Sequence, residues 1–425
     1  AVAGLCFYAA GKRSLTTWIL VSMVAGAELG HDFPAIAVNM RLLSLIFLRL
    51  IKTIIAPLIF STLVVGIAGH SSLKQVGRMG LKSLIYFEVV TTLALFIGLA
   101  AINITKAGVG INMPPSPEAP HMQVQKQTLS DVVLHSFPEN AVKAVADGNV
   151  LQVVVFSVLF AIALALIPET KRRVMLSFCE SLSETMFKFT NIVMLYAPIG
   201  VGAAISYTVG HMGLGVLVNL FQLLLTLYGS LIVFIALVLV PSIMVTGLSL
   251  KQFLLAITEP MSIAFATTSS EAALPRAMEA MQALGVPRQI VAFVMPAGYS
   301  FNLVGSTLYL SLAAIFVAQA ADIHLSMGQQ LTIVFTLMLT SKGVAGVPRA
   351  TLVILLGTAA SFNLPVEPIF IILGIDELMD MARSAVNVAG NCVATAVVAK
   401  WEGQLGTEKP SSVVMESLKD EVALS

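Results

Sequence analysis

Apolar residues in this chain come in long runs with few charges between them, not at the spacing of a soluble helix face. Runs near residues 15 to 29, 37 to 69, 80 to 103, 149 to 167, 183 to 207, 213 to 246, 290 to 321 and 365 to 399 reach or approach the ~20 residues a helix needs to cross a ~30 Å hydrocarbon layer. The stretch LVNLFQLLLTLYGSLIVFIALVLV, Leu217 to Val240, is the plainest case. This pattern predicts an all-α membrane protein with about eight transmembrane helices. Two further segments break the pattern: residues 251 to 284 are interrupted by TTSSEAALP, and residues 326 to 364 by TSKGVAGVPRA. Each flank, at ~10 to 17 residues, is too short to span. Irregular backbone at membrane depth is tolerated only where protein or a watery cavity covers its polar groups. The two segments therefore read as re-entrant helical hairpins whose tips meet inside the protein. Because one spanning helix separates them, the first enters from the cytoplasm and the second from outside.

Composition agrees: 57% of the residues are apolar and only 11% charged, against roughly 25% charged in an ordinary soluble domain. A net charge of +1 without a basic, aromatic-interleaved cluster excludes nucleic acid as a partner. Cys6, Cys179 and Cys392 lack metal or disulfide spacing and read as packing residues. No apolar h-region with a small-residue cleavage site opens the sequence, so the first helix is expected to stay in the membrane. Lys12, Arg13, Lys74, Arg78, Lys82, Lys171, Arg172, Arg173, Lys251 and Arg288 fall on one side under alternating crossing, which places that side and both termini in the cytoplasm. The Pro-rich stretch KAGVGINMPPSPEAPHMQVQKQT reads as a solvated, mobile loop on the opposite side, and the polar tail after Gly403 as a solvated extension.

A weak internal repeat links the broken segments. Each hairpin tip ends in an aliphatic residue and proline (Leu274 and Pro275; Val347 and Pro348), and each is followed by Asn-x-x-Gly, at Asn302 to Gly305 and at Asn387 to Gly390. Paired broken segments in halves of opposite orientation, inverted repeats, point to a transporter with its site near the midplane rather than to an enzyme.

The chemistry concentrates in DMARSAVNVAGN, Asp380 to Asn391. At about 100° per residue, Asp376, Asp380, Arg383, Ser384, Asn387 and Asn391 share one helix stripe. A charge at the bilayer centre costs at least ~2.5 to 3.5 kcal/mol, so such residues face a partner, a cavity or a ligand. The plain alternative is an Asp380 to Arg383 salt bridge that only ties helices together. The functional reading gives Arg383 a substrate carboxylate, held by its planar fork, and gives Asp380 a substrate ammonium. Ser269 and Ser270 at the first tip offer hydroxyl and backbone donors to a second carboxylate.

SSEAALP, GYSFNLVGST, SKGVAGVP and DMARSAVNVAGN, in this order and with YFEVVTT and YAPIG, make the chain resemble the dicarboxylate/amino acid:cation symporter family, the glutamate transporter family. The resemblance covers nearly the whole chain. It implies a homotrimer in a bacterial inner membrane that works as an elevator. Scaffold helices would lie within residues 1-73 and 149-212, and transport-domain elements within 74-105 and 213-403, with an extracellular loop at 106-148 and a cytoplasmic tail at 404-425. It also implies that Arg383 holds the substrate side-chain carboxylate and Asp380 its amino group, with Ser306, Ser384 and Asn387 as further contacts. Gly346 and Val347 would form the tip of the extracellular gate, and Ser269 and Ser270 the opposite tip. Members restricted to dicarboxylates tend to lack the acid matching Asp380, so acidic amino acids are favoured over C4-dicarboxylates.

Two departures bear on the coupling ion. Sodium-driven members carry an aspartate where this chain has Asn391, and an Asn-Met-Asp-Gly-Thr motif where it has NLVGS, with Val304 replacing the acid. Meanwhile Glu88 and Glu271 lie within apolar surroundings, where a carboxylic acid prefers its neutral form, as suits a proton carrier. Protons are therefore the expected coupling ion and no cofactor is expected. Asp376, Thr91, Thr92, Asn302 and Asn391 would join Glu88 and Glu271 around the ion path. Ser300, Asn302 and Asn387 remain as oxygen or amide ligands should sodium bind instead. Lys342, next to Gly343, either places a positive charge where some sodium-driven members have an apolar residue or, as such lysines do more often, snorkels to the interface. Arg41, Arg49 and Lys52 line a pathway or sit near head groups. The six histidines fall in or beside predicted loops, so a hydrolase built on Ser269 or Ser270 lacks its base.

Overall fold

The fold, a computed structural model, describes residues 15–68, 73–111, 137–146, 150–343 and 350–406. Gly346 and Val347, most of the Pro-rich loop, the tail after Gly406 and Cys6 lie outside the described residues, and so does the Ser300 side chain.

Among the described residues every regular element is helical. The chain runs through α1 (Leu15–Asp32), α2 (Pro34–Ala37), α3 (Arg41–Ala68), α4 (Leu73–Thr105), a short α5 (Ala141–Ala146), α6 (Val150–Leu166), α7 (Glu169–Met194) and α8 (Ala197–Met212). It continues through α9 (Val216–Phe234), a π turn (Ile235–Leu239), α10 (Val240–Thr246), α11 (Leu250–Thr267), α12 (Ser270–Ala283), α13 (Arg288–Phe301) and α14 (Val304–Ala320). Last come α15 (Met327–Thr340) with a 3-10 turn (Ser341–Gly343), α16 (Ala350–Ser361), α17 (Glu367–Leu373) and α18 (Asp376–Trp401).

Among the described residues three stretches are long and apolar enough to cross a membrane: Arg78–Thr105, Val216–Thr246 and Arg288–Ala320, with mean hydropathies of 2.1, 2.8 and 1.8. The run expected as one helix over 183 to 207 is instead α7 and α8, bent by 50°. Pro198 sits in the first turn of α8, where a missing N–H costs nothing, whereas inside a continuous helix it would break the ladder. Two other single expected helices are also broken. Residues 290 to 321 split at Asn302 and Leu303, and residues 365 to 399 split at Gly374 and Ile375. At the second break, Asp376 and Glu377 open α18 with two acids at the positive end of its dipole. The segment 251 to 284 breaks as expected between α11 and α12, which pack on each other. Thr268 takes the left-handed conformation there, and the Ser269 hydroxyl accepts the Ala272 N–H to cap α12.

Packing sorts the helices into two neighbourhoods. In one, α8 lies along α1, and α3 packs on α6, α7 and α8. In the other, α18 is packed by α11, α12, α13 and α14, and α14 also lies along α4. Cys179 and Cys392 are buried and free, as packing residues should be. At one end of the molecule Glu402 binds Arg78 at 2.6 Å and Lys82 at 2.7 Å, joining the start of α4 to the end of α18. The Lys82 hydrogen bond, with help from Arg78, holds the Glu402 carboxyl below its ordinary range. Gln289 bonds Gln404 at this same end.

The α1 and α8 backbones touch. A Cβ on Gly26 would collide with the Gly202 backbone, and one on Gly30 would stand 2.6 Å from the Ser206 carbonyl oxygen. In lipid, helices associate through close packing of small residues rather than by a hydrophobic drive. Gly26→Val should therefore cost about 1–3 kcal/mol through overpacking, read as a lowered melting temperature of the purified protein in detergent. An unchanged melting temperature would show that this contact does not hold the two helices.

Candidate functional site

Every residue of α18 from Asp376 to Ala399 is buried except Leu378 and Met381. The helix thus carries its polar stripe through protein on all sides, and lipid does not reach the apolar remainder either. On that stripe Arg383 is fully buried. Its Nη2 donates to Asp380 Oδ1 at 2.8 Å, one turn earlier, and to Asp376 Oδ1 at 3.1 Å, two turns earlier. Its guanidinium carbon stands 3.9 Å from the ring centroid of Tyr309 on α14, and the Tyr309 hydroxyl donates to Asp376 Oδ1 at 3.4 Å. Stacking of this kind suits a delocalised, weakly hydrated cation.

The ion pair does not saturate the guanidinium. Nε and Nη1 of Arg383, and Oδ2 of Asp376, are buried without a hydrogen-bond partner among the described residues. Each buried unsatisfied polar group costs about 1–3 kcal/mol, more when charged. Two carboxylates also face one guanidinium, so this trio carries an excess negative charge when all three are ionised. The arrangement can therefore accept an anion at the unused guanidinium edge and a cation beside the carboxylates.

The two Asn-x-x-Gly motifs noted as a weak repeat bond each other. Asn387 Oδ1 accepts from the Gly305 N–H at 2.8 Å and the Ser306 N–H at 3.2 Å, and its Nδ2 donates to Ser306 Oγ at 3.0 Å. These are orphan donors at the start of α14, so a side chain of α18 closes the helix end left open by the break. In return Asn302 Nδ2 donates to the Gly390 carbonyl at 3.3 Å and to Asn391 Oδ1 at 3.0 Å. Gly305 is required by the close approach: a Cβ there would stand 2.6 Å from the Arg383 carbonyl oxygen. Val304 is fully buried and faces Gly390.

The first hairpin tip reaches the same helix, where Ser270 Oγ donates to the Ser384 carbonyl at 3.3 Å. Ser270, Ser306, Asp376, Asp380, Arg383, Ser384 and Asn387 thus form one connected neighbourhood, with Ser269 beside it as the α12 cap, Asn391 one turn further along α18, and Asn302 reaching Asn391 from the break between α13 and α14. Among the described residues no hydrogen bond or ion pair ties Thr92 or Glu271 to this neighbourhood. Glu271 is partly buried in the first turn of α12, and Thr92 partly buried on α4.

Glu88 and Thr91 belong to a second cluster. Lys342 does not snorkel outward: its Nζ lies 3.1 Å from Glu88 Oε2, 2.6 Å from Thr91 Oγ1 and 3.5 Å from the Phe301 carbonyl oxygen. Glu88 is therefore ion-paired, a partner that its apolar sequence neighbours did not announce. Arg41 pairs with Glu367 at 3.6 Å and lies over Tyr207, while Arg49 is exposed. Sequence reasoning missed Tyr309 altogether. Its signal was available, since Tyr309 follows Ser306 by one helical turn and so shares its face.

Residues 15–401 match the model of the sodium:dicarboxylate symporter family. The proton/glutamate-aspartate symporter of Escherichia coli (strain K12) is 42% identical over 424 residues, covering 96% of this chain and 97% of the relative. The proton/sodium-glutamate symport protein of Bacillus subtilis (strain 168) is 38% identical over 422 residues, covering 97% and 98%. That of Bacillus caldotenax is 40% identical over 416 residues, covering 95% and 98%. Long apolar helices, a charged cluster enclosed at their centre and near-full-length matches converge: this multi-pass membrane protein belongs to the sodium:dicarboxylate symporter family.

Proposed function

We propose that the protein is a secondary active transporter that imports glutamate or aspartate together with protons. The observation that carries this reading is the Arg383 guanidinium, fully buried with Nε and Nη1 unused between two carboxylates. A substrate side-chain carboxylate satisfies those donors, its ammonium takes the place beside Asp380, and its α-carboxylate meets the first tip at Ser269 and Ser270. A C4-dicarboxylate has no ammonium to set beside Asp380 and so leaves the excess negative charge of Asp376 and Asp380 unbalanced, which disfavours it. The relatives' printed names, which specify glutamate or aspartate with protons or sodium, support the same substrate class.

Around this site we place eight spanning helices, two re-entrant hairpins and an elevator in which α4 and α9 to α18 move as one body against α1 to α3 and α6 to α8 in a homotrimer, with both termini cytoplasmic. The two packing neighbourhoods support that division. For the proton, Glu271 is the better of the two acids. Glu88 already has the Lys342 ammonium as an ion-pair partner at 3.1 Å, whereas Glu271 pairs with no basic residue among the described residues.

Asp380→Ser should lower glutamate uptake at least tenfold, about 1.4 kcal/mol, while sparing or improving succinate uptake. An equal fall in both would make Asp380 structural. In proteoliposomes free of sodium, an imposed inward proton gradient should drive accumulation of labelled glutamate. Failure to accumulate, with rescue by sodium, would overturn the proton assignment. Glu271→Gln should abolish that accumulation but keep counterflow exchange, and accumulation at the parent level would remove Glu271 from the proton path. Counterflow itself distinguishes a carrier from an open pore, which cannot concentrate label transiently.

A further inference from the structure

The Lys342 ammonium occupies a setting that resembles a bound metal cation more than a surface lysine. Its oxygens come from three chemically distinct sources: the Glu88 carboxylate at 3.1 Å, the Thr91 hydroxyl at 2.6 Å and the Phe301 carbonyl at 3.5 Å. Phe301 is the last residue of α13, so its carbonyl lies at the negative end of a half-helix dipole exposed by the break. The lysine side chain is 16% exposed and faces inward from the short turn that follows α15. Unused acceptors flank it in sequence. Asn302, next after Phe301, is fully buried with Oδ1 unpartnered, and Ser341, next before Lys342, is buried with Oγ unpartnered.

A carboxylate, a hydroxyl and a helix-terminal carbonyl are hard oxygen ligands of the kind that small, hard cations select. Taking the ammonium away would leave the Glu88 carboxylate, its side chain 47% exposed, without its counter-charge, and a small cation can take the place of the ammonium among these oxygens. We propose that Lys342 is a resident, covalently tethered cation filling a monovalent-cation site between α4, the α13 break and the second broken segment, and that its presence keeps sodium out of that site. Lys342 is then a specificity-determining residue: it sets which ion the carrier uses without touching the substrate. The inference rests on the reading of the chain as a cation-coupled carrier only for its consequence in transport, because the site itself is tested by binding.

The probe is sodium alone. Purified Lys342→Met protein, which keeps the reach of the side chain but not its charge, should gain several degrees of melting temperature in sodium chloride over choline chloride at equal ionic strength. The parent should show no such gain, and the Lys342→Met, Glu88→Gln double variant should lose it because the attracting charge is gone. Lys342→Gln, tested in parallel, serves if the methionine variant cannot be purified. In proteoliposomes the same substitution should make glutamate uptake rise at least fivefold with sodium. A sodium response in the parent equal to that of the variants would overturn the proposal, and so would its absence from both variants. A parent that moves no acidic amino acid at all would instead refute the transport reading and leave the binding result standing.

Discussion

A guanidinium cannot be left at the depth of lipid tails without counter-charge, and the central architecture follows from that demand. Arg383 is fully enclosed, and Asp376, Asp380 and the Tyr309 ring are arranged around it. Breaking a buried pair of this kind by removing one partner costs about 3–5 kcal/mol, so the cluster is strongly constrained. Two donors and one carboxylate oxygen have no partner among the described residues. Those groups are the ones that the proposed zwitterion site would use.

The broken helices serve the same end. Interrupting α13 and α14 at Asn302 exposes backbone groups that lipid cannot satisfy. The protein satisfies them with side chains from α18: Asn387 caps the start of α14, and Asn302 answers by bonding Gly390 and Asn391. The reciprocal clasp fixes α14 against α18 with backbone spacing close enough to require Gly305, and so sets where Tyr309 lies over Arg383. The residues proposed to bind substrate are thus largely the ones whose hydrogen bonds hold α14 against α18.

Much of this was legible in the sequence because its causes are local. Run length gives long apolar helices, the TTSSEAALP interruption gives the break between α11 and α12, and a 3.6-residue period puts Asp376, Asp380, Arg383 and Asn387 on one stripe. The repeated Asn-x-x-Gly was visible as a pattern, although nothing in one dimension showed that its two copies bind each other. What escaped depends on which helices meet. Tyr309 is an ordinary aromatic until α14 is laid against α18, and Lys342 is an ordinary interfacial lysine until its turn is brought beside α4. Bends were missed where apolar character continues through a break, as at Tyr196 and at Gly374, since hydropathy is indifferent to backbone direction.

The most direct test of the claim that the buried cation waits for an anion is glutamate binding to purified protein by isothermal titration calorimetry, comparing the parent with Arg383→Ala and with Arg383→Lys. Loss of a bidentate charge-assisted contact should weaken binding at least a hundredfold in the alanine protein, about 2.7 kcal/mol, and lysine should restore only part of it. Parent-level affinity in a folded Arg383→Ala protein would contradict the account at its centre.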